Sequence, residues 1–321
     1  MNGRAACGVL ALLLIGCSGS SPGPKVTVTI PRGATFGQAV DSLVARGVVN
    51  HPGWFRFYAR ARGLPGELKS GVYTFTADDG WGDVVTALKA GRGDEARFTV
   101  LEGMMAFEIA ERARVWLRIP KDSFFAAVKD TALQRELGIR VNPAGVEGYM
   151  YPTTYRVPVG IKARDLVRLM THEFIERWPP EWDARVTQLG MTRHEVVTLA
   201  SIIEAEVRYR PDRPYVSAVY HNRLKRRMAL QADPTINYAY QRRLRRVWEK
   251  NLQIHSPYNT YLHPGLPPGP IGQPSDSSLY AALTPAPAGF LYFVAQPDGK
   301  HVFSETYADH LAAIRRARQR R

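Results

Sequence analysis

Apolar and polar positions alternate with two periods along this chain, and they predict a mixture of short strands and amphipathic helices. Residues 26–30, VTVTI, alternate and are rich in β-branched side chains, so they predict a strand. Thr35 is placed to cap a helix over 36–46, with Ala39, Val40, Leu43 and Val44 inward. Helices over 52–62 and 81–90, a strand within 68–75 and a further strand from Phe98 follow. Beyond them the spacing predicts helices over 106–115, 120–132, 161–178, 182–189, 194–210, 215–228 and 273–282. Thr192, with Glu195 three positions on, reads as a capping box for the helix that starts at 194. A hairpin over 290–295 and 300–304 turns through Pro297-Asp298-Gly299, and Thr306 opens a last helix to about residue 316. This order points to an α+β fold.

Composition narrows the picture. The 321 residues are 45% hydrophobic, enough for two or three packed domains. A net charge of +14 suits a polyanionic partner, whether nucleic acid, anionic lipid or an acidic wall polymer. No RNA-binding strand pattern, zinc-finger spacing or leucine heptad is present, so nucleic acid is not expected as a partner. The two cysteines, Cys7 and Cys17, leave the rest of the chain without a disulfide framework, a thiol nucleophile or a thiolate metal site. Residues 1–17 read as a signal peptide: Arg4 flanks an apolar run over 9–15 that is too short to span a bilayer. Residues 18–25 form a Ser/Gly/Pro-rich tether.

The chemistry concentrates between residues 194 and 270. On a wheel of about 100° per residue, Val197 and Ala200 lie within about 40° of Glu204, at one edge of the buried face, with Glu206 near the other edge. A glutamate half enclosed in a cleft can hold a proton and act as a general acid; spacing alone equally allows surface ion pairs with Arg208 and Arg210. Polar groups crowd the segments that follow: Asn222, then Gln231, Asp233 and Thr235 around Pro234, then Tyr258, Asn259 and Thr260. Amides and hydroxyls in this number suit sugar hydroxyls and N-acetyl groups, with Asp233 either a sugar contact or a turn cap. Residues 146–155, VEGYMYPTTY, combine three tyrosines with Glu147, either as the lining of a sugar cleft or as a rigid turn. No HExxH, G-x-S-x-G, phosphate-binding loop or dinucleotide fingerprint occurs, so neither metal nor cofactor is expected.

Several ordered motifs carry a resemblance. LASIIEAE at 199–206, VYHNRL at 219–224, MALQADPT at 228–235, SPYNTY at 256–261 and GLPPGPI at 265–271 resemble the core of the MltG/YceG-like endolytic murein transglycosylases, and LYFV at 291–294 and HVF at 301–303 resemble its closing strands. The resemblance implies a glycan substrate, cut within peptidoglycan strands at the bond from N-acetylmuramic acid to N-acetylglucosamine. It places the catalytic carboxyl at Glu204, acting as acid and then as base, with a 1,6-anhydro end as product. Asn222, Gln231, Asp233, Thr235, Tyr258, Asn259, Thr260 and Glu147 are the candidate substrate positioners. Residues 26–97 resemble a LysM-like wall-binding module, with Trp54 and Trp81 as candidate stacking residues; 98–190 link it to a catalytic core over 191–312, and 313–321 form a basic tail. Leu14-Ile15-Gly16-Cys17 resembles a bacterial lipobox, which implies lipid on Cys17 and a protein anchored outside the cytoplasm, in an inner or an outer membrane. Wall synthases are the expected protein partners, and the competing expectations are a non-catalytic wall-binding scaffold and a muramidase-type hydrolase.

Overall fold

A computed structural model describes residues 25–31, 33–76, 79–91 and 95–319. The chain divides before Glu95 into two compact units.

In the first unit β1 (Val26–Ile30) pairs antiparallel with β2 (Gly71–Phe75), Val28 opposite Tyr73. Between them run α1 (Phe36–Ala45), α2 (Pro52–Ala61) and the short α3 (Leu64–Glu67), and α4 (Trp81–Ala90) follows. Thr35 caps α1 as expected: its hydroxyl accepts the Gln38 N–H, and the Gln38 amide oxygen accepts the Thr35 N–H. Inward residues of strands and helices, among them Val28, Leu43, Phe55, Tyr73 and Leu88, form a core of the unit's own. Trp54 is 71% exposed on α2, whereas Trp81 packs edge-on against Phe55.

The second unit begins three residues earlier than the linking segment assigned from sequence, because β3 (Glu95–Thr99) pairs antiparallel with β4 (Thr154–Pro158). Between those strands lie α5 (Ala106–Leu117), α6 (Lys121–Val128) and α7 (Thr131–Glu136). The single helix expected over 120–132 is broken because Asp130 caps α7 instead, accepting the N–H groups of Ala132 and Leu133. Then come α8 (Ala163–Glu176), α9 (Pro180–Gln188), α10 (Arg193–Glu206), α11 (Arg213–Lys225), α12 (Asp233–Ala239) and α13 (Asp276–Leu283). The hairpin of β5 (Tyr292–Ala295) and β6 (His301–Ser304) and the helix α14 (Tyr307–Gln319) close the unit. α14 runs beyond residue 316 because Ala313 and Ala317 are both buried, so part of the expected basic tail is packed helix.

α10 is the hub of the second unit. It packs on α9, α11, α12 and most extensively on α13. Every residue from Val196 to Ile203 is buried, so the helix is enclosed all round and not on one face only. Tyr149, Tyr151 and Tyr155 are buried too: the three tyrosines of the segment over 146–155 belong to this core. Mixed helices with three separate two-stranded sheets, among the described residues, make this an α+β protein. No helix among the described residues is long and apolar enough to cross a membrane.

Candidate active site

Glu204 emerges from the last turn of α10. The predicted capping box starts that helix, with the Thr192 hydroxyl on the Glu195 N–H and the Glu195 carboxylate on the Thr192 N–H. The buried run then fixes its rotation, so the position of the Glu204 carboxylate is set by the core. The helix stops at Glu206 and not at 210: Val207 is extended and buried, and prolines at 211 and 214 start a new course. That break brings Arg213, at the first position of α11, back onto Glu204. Arg213 Nη2 lies 2.7 Å from Glu204 Oε1, with side chains only 5% and 7% exposed. From the other side the Ser275 N–H donates to Glu204 Oε2 at 2.9 Å, and the Ser275 hydroxyl donates to the same oxygen. Ser275 is available because Pro274 keeps its predecessor extended and Ser275 itself caps α13, accepting the Ser278 N–H. A helix from 273, as the spacing suggested, would turn that N–H inward. Arg213 Nη1 also donates to the Ser275 and Ser277 hydroxyls. Each oxygen of Glu204 thus receives charge-assisted or backbone hydrogen bonds, the stronger class of such contacts.

A second carboxyl is tied to the first. Glu147, 2% exposed, accepts the Ala106 N–H at the start of α5, Gln273 Nε2 at 2.6 Å and the Tyr238 hydroxyl at 3.3 Å. Burial pushes its pKa up to about 7, against the lowering effect of those donors. Gln273 is fully buried: its Oε1 accepts the Met150 N–H, its N–H donates to Met104 and its carbonyl accepts from Gly103. Gly103, at φ 71°, lies against Glu204, where a β carbon would sit 3.7 Å from Glu204 Cγ. Gln273 therefore clamps Glu147, the loop at 103–104 and the Ser275 segment into one piece. On the far side of α10, Glu206 accepts the Tyr220 hydroxyl at 3.2 Å. Burial first, and the negative charge of Asp233 second, push Glu206 up to about 7.

The sequence-derived positioners separate into two groups. Thr235, Asn259 and Thr260 are buried and engaged internally, so they offer no surface to a ligand. Thr235 and Thr260 share a hydrogen bond at 2.9 Å, and Asn259 Nδ2 donates to the carbonyls of Leu252 and Ile254. Asn222 Nδ2 likewise holds the carbonyls of Ala288 and Phe290. These four fix loops, because a polar side chain taken out of water binds whichever backbone group is left unpaired. Gln231 and Asp233 are exposed, and Asp233 Oδ1 takes the Tyr261 hydroxyl at 2.6 Å. Tyr258 is half-buried, its ring 4.5 Å from that of Tyr238. Arg213, Ser275 and Gln273 carry no functional reading in the sequence, and Tyr261 enters it only as the last residue of the SPYNTY motif. Pro274-Ser275 followed by Ser278 is a cap signal that could have found Ser275; Arg213 is hidden among Arg208 and Arg210 and carries no signal of its own. Cys17 lies outside the described residues.

Residues 28–316 match the model of the YceG-like family. The chain is 30% identical to an endolytic murein transglycosylase of Bacillus subtilis over 89% of its own length and 82% of that protein. An endolytic murein transglycosylase of Streptococcus pneumoniae is 29% identical over 89% of this chain, which spans 57% of that longer protein. A solved YceG-like protein of Listeria monocytogenes superposes with a TM-score of 0.63 at 29% identity, covering 91% of this chain and 100% of that one.

Proposed function

Since the chain belongs to the YceG-like family, we propose that it is an endolytic lytic transglycosylase of peptidoglycan, cutting glycan strands between N-acetylmuramic acid and N-acetylglucosamine without water. Glu204 is the catalytic carboxyl. The observation that carries this reading is the enclosure of Glu204 between Arg213 and Ser275 at the end of the core helix, inside the family-matching region.

In the first step the Glu204 carboxyl gives its proton to the glycosidic oxygen, and the bond from muramyl C1 breaks. The carboxylate left behind is held by Arg213 and by the Ser275 N–H and hydroxyl, donors already in place before charge develops. In the second step the same carboxylate takes the proton of the muramyl C6 hydroxyl as that oxygen closes onto C1. The proton returns to Glu204, no water is consumed, and the new end is a 1,6-anhydro sugar. A hydrolase of this class needs a second carboxyl to activate water or to attack the sugar. Glu206 does not supply it: two positions along the helix it points about 200° away, onto Tyr220.

The anchored lipoprotein state, with lipid on Cys17, and action beside wall synthases that terminates new strands belong to the same proposal. Tyr258, Asp233 and Gln231 position the strand, and the first unit holds the wall. Digestion of purified glycan strands, read by mass spectrometry, tests the reaction. Anhydro ends are expected with the native protein and none with Glu204→Gln. Reducing ends in their place mean hydrolysis, and intact strands mean a scaffold.

A further inference from the structure

Within the second unit a cavity of about 390 Å³ opens beside Glu147, walled by Tyr238, Tyr258, Phe125 and Ala239 and rimmed by Gln241 and Lys129. Its volume falls in the range of small-ligand sites, and it combines apolar walls with a few convergent polar groups. Glu204 does not line it.

Three features set this cavity apart from a packing defect. Glu147 is a buried carboxyl of its lining whose oxygens already accept the Ala106 and Gly148 N–H groups, Gln273 Nε2 and the Tyr238 hydroxyl, so it holds the wall behind the tyrosines in place. Tyr258 is half-buried and leans on Tyr238, which presents a ring supported from behind. Gln241 at the rim is held at φ 51°, a backbone conformation uncommon for a residue with a side chain, and its Nε2 is fixed on the Tyr238 carbonyl. A ring face for a sugar's apolar face, and the Gln241 amide oxygen and the Ser256 hydroxyl for its hydroxyl and acetamido groups, are the recognition chemistry of an amino sugar. Lys129 is the single cation of the lining, which argues against a polyanionic ligand.

We propose that this cavity is a saccharide subsite that takes an N-acetylhexosamine unit of the glycan strand away from the scissile bond. Its base is joined to the catalytic carboxyl by a short covalent and hydrogen-bonded path: Glu147 to Gln273, two residues along the chain to Ser275, and Ser275 to Glu204. A strand seated there is gripped by the same rigid piece that holds Glu204, which favours cutting within long strands over cutting at their ends. The subsite rests on the transglycosylase reading for its place in the reaction, but its binding can be measured without any cleavage.

The experiment uses the full chain carrying Glu204→Gln and titrates it with the β-1,4-linked tetramer of N-acetylglucosamine by calorimetry. Saturable binding is expected. Adding Tyr258→Ala weakens it tenfold or more, and Tyr258→Phe, which keeps the ring, recovers most of the affinity. Ala239→Phe, which fills the cavity from α12, abolishes binding and decides the matter alone if Tyr258→Ala does not fold. Absence of saturable binding by the parent overturns the proposal. So does binding within twofold of the parent by the folded variants, with thermal melting as the check on folding. Failure of the transglycosylase reading looks different: the native protein then yields no anhydro ends, whatever the tetramer titration shows.

Discussion

Replacing Arg213 by methionine removes one partner of an almost completely buried ion pair while keeping an unbranched side chain of similar reach. With side chains 5% and 7% exposed, Glu204 and Arg213 are poorly reached by solvent, so the remaining carboxylate has little water to replace its partner. Breaking such a pair costs about 3–5 kcal/mol, mostly as the penalty of the charge left alone. For a unit of roughly 150–250 residues, about 2–4 °C is lost per kcal/mol, so the melting transition should fall by about 6–20 °C. The double variant Arg213→Met/Glu204→Gln has neither charge and should regain more than half of that loss. Ser275 still donates to residue 204 in it, which keeps the local backbone in place. Thermal and urea unfolding of the native protein, both single variants and the double variant complete the cycle. A double-variant loss equal to the sum of the single losses within about 0.5 kcal/mol shows that the two side chains are energetically independent, and refutes the argument.

Other expectations concern pH, the Ser275 hydroxyl and backbone space. Glu206 has a native pKa raised to about 7 from 4.5, so the native state holds a proton that the unfolded chain has released between those values. Stability should therefore fall as pH rises from about 5 to 7, by up to about 1.4 kcal/mol per pH unit from this group, and Glu206→Gln should flatten that slope in melts taken across the window. Ser275→Ala keeps the N–H on Glu204 but removes the hydroxyl; kcat should drop about 10- to 100-fold with little change in KM. Loss of the α13 cap should add about 1 kcal/mol of instability, measured by denaturant unfolding. Gly148→Ala should destabilise by at least about 2–3 kcal/mol, because φ is +81° and the added carbon would lie 2.4 Å from Pro270 Cβ; a melting temperature unchanged within 2 °C contradicts this.

Local chemistry determined much of this protein from its sequence alone. Capping residues such as Thr35 and Thr192, the alternation of VTVTI and the Pro-Asp-Gly turn act over a few residues, so their elements could be read directly. The order of those elements was sufficient for the α+β class, and the ordered motifs around IIEAE for the resemblance to the YceG-like family. Where several local signals compete, the fold decided. Asp130 became a cap and broke a helix whose periodicity ran on, and the apolar stripe of α10 became a fully enclosed core helix because neighbours cover every side. Polar residues that looked alike in sequence had different fates: Thr235, Asn259 and Thr260 turned inward to pair with backbone groups, while Asp233 stayed at the surface. The partners of Glu204 were invisible for the same reason. Arg213 and Ser275 are 9 and 71 residues away, and only the turn after α10 and the packing of α13 bring an unremarkable arginine and serine onto one carboxylate.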